Sequence, residues 1–234
     1  MSCPRPEGRP IAIAHRAGND LPRLDRARAL GADLAELDVW LHRGRIEVRH
    51  AQTVGPLPLL RERWRLSPGW GPRLELDAVI EAAGRDVQLM VDLKSDTLAL
   101  SEAVVDAFER GLPGAPYAVT TREWWLLEPF EGRDHVCLLP SAAWPHELAE
   151  LLPALGERFH ALSMHITLVE PALMSELAGR GVSTCVWPVN TPEDLERVLG
   201  AGATGVNSDN LDLLAGVVES AGASRESVAG GGPS

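Results

Sequence analysis

Lysine is almost missing from this 234-residue chain: 21 of its 22 basic residues are arginine, and the exception is Lys94. Cations of either kind are outnumbered by 33 acidic residues, leaving a formal charge of −11. Nucleic acids and anionic membranes reward a basic surface, so neither is expected as a general partner. No segment approaches the ~18–20 consecutive apolar residues of a spanning helix, so no stable membrane insertion is expected. The stretch Met1–Pro10 holds three prolines and lacks the apolar core of a secretory signal. Cysteine is also scarce. Cys3, Cys137 and Cys185 are odd in number and show no CxxC or zinc-type spacing. Cys137 and Cys185 fall in the apolar runs VCLLP and STCVW, where cysteine serves as a small buried hydrophobe. A reduced, cytoplasmic protein is the expectation. Finally, no GxGxxG follows the first apolar run, which disfavours a dinucleotide-binding open sheet.

What is present is a 45% hydrophobic, 24% charged chain of a size that buries one substantial core. Short apolar runs alternate with amphipathic stretches along most of it. Strand-like runs are predicted at 11–15, 34–40, 46–50, 87–94, 117–121, 136–140, 161–166, 183–189 and 205–208. Helical patterns are predicted at 21–30, 76–83, 98–108, 146–155, 171–178 and 192–199. Thr191-Pro192-Glu193 reads as an N-cap followed by a first-turn proline and an acidic first turn. About eight strand–helix repeats in under 250 residues predict an α/β fold, a single (β/α)8 TIM barrel. The 46–50 run would be a hairpin partner of the second strand, turning at Arg43-Gly44-Arg45. The Gly-, Pro- and Trp-rich piece 53–72 would be an irregular loop across the barrel mouth. Residues 1–10 are expected to be a flexible N-terminus, 11–219 the barrel domain, and 220–234 (Gly-, Ser- and Ala-rich) a disordered tail.

Barrel active sites collect at the C-terminal ends of strands, so the residues closing each predicted strand are the candidates. The first ends in His15-Arg16, the hairpin in His50, the third strand in Asp92 and Lys94, and the later ones in Thr120-Thr121, His165, Trp187 with Asn190, and Asn207 with Asp209. Glu36 and Asp38 are two apart on one strand, as are Asp92 and Lys94 on the next, so each pair shares a face. If both faces point inward, three carboxylates converge beside one ammonium. Two outcomes fit: salt bridges to Arg16 and Lys94, or a hard divalent cation such as Mg²⁺ or Ca²⁺ held by oxygen ligands.

The motifs HRAG (15–18), GADLAELDVW (31–40), RIEVRH (45–50), VDLK (91–94) and VWPVNTPEDLERVLGAGATGVNSDN (186–210) together resemble the glycerophosphodiester phosphodiesterase family, across about residues 11–214. The resemblance implies a (β/α)8 barrel that hydrolyses small-molecule glycerophosphodiesters to an alcohol and glycerol 3-phosphate. It implies His15 and His50 as the acid/base pair and Glu36, Asp38 and Asp92 as ligands of one divalent cation. Arg16 and Lys94 would meet the phosphate, and Trp187 would wall the substrate pocket. Two histidines suit that chemistry, because an unperturbed pKa near 6.5 lets them exchange protons at neutral pH.

The chain departs from the family pattern in several places. NDLPRL follows HRAG where Pro-Glu-Asn-Thr is usual. Ala51 stands where aspartate usually follows the second histidine, Asp92 replaces a commoner glutamate, and Pro188 replaces threonine. The Asp-x-Lys form is similar to the venom-type phospholipases D, which release a cyclic phosphate. That transferase and a non-catalytic phosphodiester-binding barrel are the alternatives. His165 reads as structural, Trp124-Trp125 as packing, and Arg23, Arg26 and Arg28 as a solvated helix face.

Overall fold

The structure, a computed structural model, describes Cys3 and residues 6–54, 59–62, 64–70 and 72–229. Eight parallel strands form a closed barrel: β1 (Ile11–Ala14), β2 (Leu34–His42), β7 (Gln88–Leu93), β8 (Tyr117–Thr121), β9 (Val136–Ala142), β10 (Ala161–His165), β11 (Ser183–Trp187) and β12 (Gly205–Ser208). Neighbours pair in chain order, and β1 closes the circle by pairing both β12 and β2. The outer ring is built by α1 (Leu21–Leu30), α2 (Leu76–Ala83), α3 (Leu98–Gly111), α4 (Pro145–Leu151), α5 (Pro171–Gly179), α6 (Pro192–Gly200) and α7 (Leu211–Ala229). Between β8 and β9 a 3-10 helix, Trp124–Phe130, replaces an α-helix, with Pro129 inside it. The predicted cap forms: Thr191 accepts the Asp194 N–H at the start of α6. At α1, Asp20 accepts the Arg23 N–H, and Gly31 ends the helix at φ 81°, a left-handed conformation that glycine adopts without penalty.

Side chains two apart on each strand point into the barrel, and these inward positions change character with height. Toward the N-terminal ends Ile11, Ile13, Leu34, Met90, Leu139 and Cys185 pack into a buried apolar plug. Toward the C-terminal ends the same faces carry His15, Glu36, Asp38, Asp92, Thr120, Ser163 and Asn207. The register aligns the polar tier, pairing Asp38 with Asp92 and Asp92 with Thr120. A dry plug therefore sits below an open polar bowl.

β3 (Arg45–Val48) pairs antiparallel with β2, as the 46–50 run predicts. The stretch expected to be an irregular loop is instead a small antiparallel sheet of β4 (Gln52–Thr53), β5 (Leu59–Glu62) and β6 (Arg65–Pro68). Pro68 ends β6 and Gly69 follows it, and the turn-forming residues of this stretch obscured the short alternating runs in the sequence. Residues 55–58, 63 and 71 of that expected loop lie outside the described residues.

The reduced-cysteine reading is corrected too. Cys3 and Cys137 form a disulfide, with Cα atoms 5.0 Å apart, that ties the N-terminal segment beneath the plug. The partners are 134 residues apart, so spacing could not reveal them. Disulfides persist in oxidising surroundings, which runs against the reduced state expected from cysteine usage. Cys185 is the buried free thiol, its pKa pushed up to about 12 by burial. Of the expected flexible N-terminus, residues 1, 2, 4 and 5 lie outside the described ones; Arg9 nearby holds Asp33 with two hydrogen bonds. At the other end α7 continues to Ala229, past the Ser220 where a disordered tail was expected, and residues 230–234 are not described. Ala, Ser, Glu and Arg in SAGASRESVA are all compatible with helix.

The plug leaves no room at Gly205, where an added Cβ would stand 2.8 Å from Cys185 Sγ and 3.2 Å from Ile11 Cβ. Gly205→Ala should therefore destabilise the barrel by ~1–3 kcal/mol through overpacking. A urea midpoint equal to that of the wild type would show that the plug yields freely.

Candidate functional site

The polar bowl opens as a cleft of about 980 Å³. All eight residues singled out from the sequence line it: His15, Arg16, Glu36, Asp38, His50, Asp92, Lys94 and Trp187. Local chain geometry explains how the first of them are placed. Arg16 sits at φ 53°, a left-handed turn that ends β1 and aims its N–H at Glu36 Oε2, 2.5 Å away. Gly18 then presses onto β2: a Cβ there would come within 2.8 Å of Leu37 Cβ. That approach lets Asn19 clasp Asp38, accepting its backbone N–H at 2.9 Å and donating to its carboxylate at 2.7 Å. The Ala-Gly-Asn run thus fixes the acidic strand from above.

Glu36, Asp38 and Asp92 each bring a carboxylate oxygen within 4.8 Å of the others. Glu36 and Asp38 are 2% and 1% exposed. Lys94 lies between two of them, its Nζ 3.1 Å from Asp38 Oδ1 and hydrogen-bonded to Asp92. Arg16 Nε lies 3.8 Å from Asp38. The salt-bridge outcome weighed from the sequence is therefore realised for Asp38 and Asp92, while Glu36 receives only a backbone N–H from this set. The electrostatics follow. Burial and then the neighbouring Asp38 charge push Glu36 up to about 8. Burial likewise raises Asp92 despite the lysine beside it. Asp38 is lowered, because Lys94, His50 and the Asn19 hydrogen bond together outweigh its burial. Lys94 is raised, the three carboxylates outweighing desolvation. The three carboxylates offer an all-oxygen donor set of the kind that could hold a hard divalent cation.

The two histidines differ. His15 Nδ1 bonds Asp209 Oδ1 at 2.9 Å. Burial alone would lower its pKa, but the Asp209 bond and the charges of Glu36 and Asp209 leave it raised. Asp209 is correspondingly lowered to about 2, mainly by the His15 bond. His50 is lowered: burial, Arg16 and Lys94 outweigh the Asp38 and Glu62 charges. Its Nδ1 lies 3.0 Å from Glu62 Oε1, in ion-pair range but without hydrogen-bond alignment. Trp187 packs edge-on against His165, with ring centroids 5.0 Å apart. His165 Nδ1 in turn accepts the Thr167 N–H, which makes it a fixed wall residue.

Several groups escaped the sequence reading. Glu62 arrives from β5, whose strand character was hidden. Asp209 was read only as closing the last strand, and its role as partner of His15 was missed; it is held by Asn190, whose Oδ1 accepts the Asp209 N–H at 2.8 Å. Arg23 belongs to no solvated face: its Nη2 donates to the carbonyls of His15 and Asp209, tying two strand ends together. The Asn19 signal was visible as the residue closing HRAGN. Thr120 Oγ1 and Asn207 Oδ1 are buried at the cleft without a hydrogen-bond partner among the described residues, and the lining therefore holds polar atoms ready for a polar ligand.

No protein-family profile matches the chain, and no curated protein matches it in sequence. Solved structures do match in fold. An Oleispira antarctica phosphodiesterase, in complex with the product sn-glycerol-3-phosphate, is 15% identical with a TM-score of 0.73, over 90% of this chain and 97% of that one. A glycerophosphodiester phosphodiesterase from Parabacteroides distasonis is 20% identical with a TM-score of 0.70, over 92% and 100%. Another from Thermotoga maritima is 20% identical with a TM-score of 0.69, over 89% and 98%. The (β/α)8 fold is common to all.

The His15–Asp209 pair has a pH signature. His15 is raised above 6.5, so its contribution to stability is complete below pH 6.5 and lost as pH rises through its folded pKa. Asp209 is depressed from 3.8 to about 2, so its contribution is complete above pH 3.8 and lost on acidification through about 2. Asp209→Asn should therefore destabilise the metal-free protein most at pH 4–6.5, with the deficit shrinking as pH rises through the folded pKa of His15. Urea midpoints measured across that range check this, and a pH-independent deficit would contradict it.

Proposed function

We propose that the chain is a metal-dependent glycerophosphodiester phosphodiesterase, hydrolysing its substrate to an alcohol and glycerol 3-phosphate. The observation that carries this reading is a pair of histidines with pKa values displaced in opposite directions, in one cleft with three converging carboxylates, Arg16 and Lys94. Displaced pairs of this kind mark an acid and a base. The barrel shared with phosphodiesterases, one of them holding sn-glycerol-3-phosphate, supports the same substrate class.

Glu36, Asp38 and Asp92 are the residues that would hold one divalent cation, Mg²⁺ or Ca²⁺. When bound, such an ion polarises a phosphoryl oxygen and offsets developing negative charge. The remaining work falls to the chain's own groups. Arg16 and Lys94 bind and orient the phosphodiester anion. His50, held neutral by its surroundings, takes the proton from the attacking hydroxyl. His15, held protonated with Nδ1 on Asp209, gives its Nε2 proton to the departing alkoxide. Trp187, backed by His165, walls the alcohol portion. The attacking hydroxyl belongs either to water or to the substrate's own glycerol, and the second case yields a cyclic phosphate. The Asp92–Lys94 pair, a feature similar to the venom-type phospholipases D, favours testing for that product.

Glycerophosphocholine turnover followed by phosphorus NMR separates these readings. Glycerol 3-phosphate is the expected product with Mg²⁺ or Ca²⁺, and EDTA should abolish its formation. A cyclic phosphate that persists would identify the transferase, and the absence of turnover with any metal or diester would leave a binding protein. His15→Ala and His50→Ala should each lower kcat by ~10²–10⁴-fold. Lys94→Arg should lose most activity with the fold intact. Turnover should rise with pH as His50 deprotonates below 6.5 and fall as His15 deprotonates above it.

A further inference from the structure

The insert β4–β5–β6 has two unlike faces. Antiparallel pairing sets Leu60 opposite Ser67 and Glu62 opposite Arg65 on one face, and Arg61 opposite Leu66 on the other. On the first face Leu60 is buried, and Glu62 reaches His50 and Arg16, so the sheet rests on the rim of the cleft. Beyond that contact it presents Leu66, 63% exposed, with Trp64 at the β5–β6 turn, 95% exposed, and Trp70 after β6, 68% exposed. Large apolar groups so far from any core are uncommon on a protein that stays in water. Tryptophan in particular favours the boundary between hydrocarbon and water.

Charge singles out the same segment. Residues 59–70 hold three arginines and one glutamate, in a chain whose net charge is −11. The glutamate is Glu62, turned toward His50 and Arg16, whereas Arg61 and Arg65 are exposed. An anionic surface would repel the protein as a whole and attract this hairpin, so approach would be oriented with the cleft rim toward the surface.

We propose that β5, β6 and the segment to Trp70 form an interfacial docking element for an anionic phospholipid surface, with Trp64, Leu66 and Trp70 entering the headgroup region and Arg61, on the same face as Leu66, meeting the lipid phosphates. Resting on the phosphodiesterase reading, this assigns the enzyme amphiphilic phosphodiesters presented at a lipid surface in addition to free ones. The cleft, at about 980 Å³, has room for more than glycerol phosphate.

Binding is testable without catalysis. The full chain should co-sediment with phosphatidylglycerol-containing vesicles and show a blue-shifted tryptophan emission that reverses in high salt. The triple variant Trp64→Ser/Leu66→Ser/Trp70→Ser should bind at least about tenfold more weakly, and Arg61→Glu about fivefold more weakly. The triple variant should keep wild-type turnover of soluble glycerophosphocholine and lose turnover of a lysophospholipid carried in those vesicles. Absence of vesicle binding by the wild type overturns the docking proposal whatever the activity. So does undiminished binding by the triple variant, or a wild-type dimer in sedimentation analysis that the triple substitution dissociates. Vesicle binding without turnover of any diester would uphold the docking element while refuting the phosphodiesterase reading.

Discussion

Three carboxylates held within 4.8 Å of one another repel strongly in a buried setting, and the upper half of the barrel is organised around that repulsion. Barrel geometry creates the problem, since inward positions recur every second residue and neighbouring strands bring Asp38 level with Asp92. The turn after β1 answers part of it. Arg16 takes a left-handed conformation that delivers its N–H to Glu36, and Gly18, without a side chain, lets Asn19 come close enough to hold Asp38 at two points. Lys94 answers another part by bridging Asp38 and Asp92. Glu36 is displaced upward by its burial first and by the Asp38 charge second. The three carboxylates form a group whose oxygens could hold a metal ion.

The histidines inherit their difference from partners on opposite sides of the cleft. His15 stands at the end of β1 and meets Asp209, just beyond β12, because the barrel closes β12 against β1. His50 stands at the end of the β2–β3 hairpin, where Arg16 and Lys94 disfavour a second positive charge. Its nearest carboxylate, Glu62, comes from an inserted sheet and misses hydrogen-bond alignment. One imidazole is therefore held by a fixed acidic partner and the other stays comparatively unconstrained. Opposite protonation states at one pH follow from these positions without any special property of either ring.

How much of this was legible beforehand depended on the range of the interaction. The barrel strands were readable because period-two alternation and apolar runs are local properties of the chain, as were Thr191 as a cap and the Arg43-Gly44-Arg45 turn. Glu36-Leu37-Asp38 and Asp92-Leu93-Lys94 betrayed shared faces for the same reason. Asp209 as partner of His15 was not readable, since 194 residues separate them and only ring closure brings them together. The Cys3–Cys137 bond was hidden likewise. Glu62 was obscured differently: turn-forming residues on both sides masked the short strand that carries it, so Ala51 looked like a lost partner for His50 when a carboxylate was arriving from elsewhere.

The solitary lysine gains its meaning from the same constraint. Arginine fills every other basic position in the chain, at ion pairs as different as Arg9–Asp33 and Arg158–Glu131. At position 94 the cation must fit between two carboxylates, one of which is 1% exposed, in the cleft proposed above to take a phosphodiester. An ammonium is a compact point charge on a flexible stem, able to turn toward either carboxylate or toward an incoming anion. A guanidinium is a rigid planar fork whose bidentate geometry would commit it to one carboxylate and fill the space beside it. A composition that otherwise favours arginine retains lysine where size and mobility matter as much as charge. The proposed function would add a demand of its own at this position, since a cation that meets both the carboxylates and a substrate phosphate has to change partners.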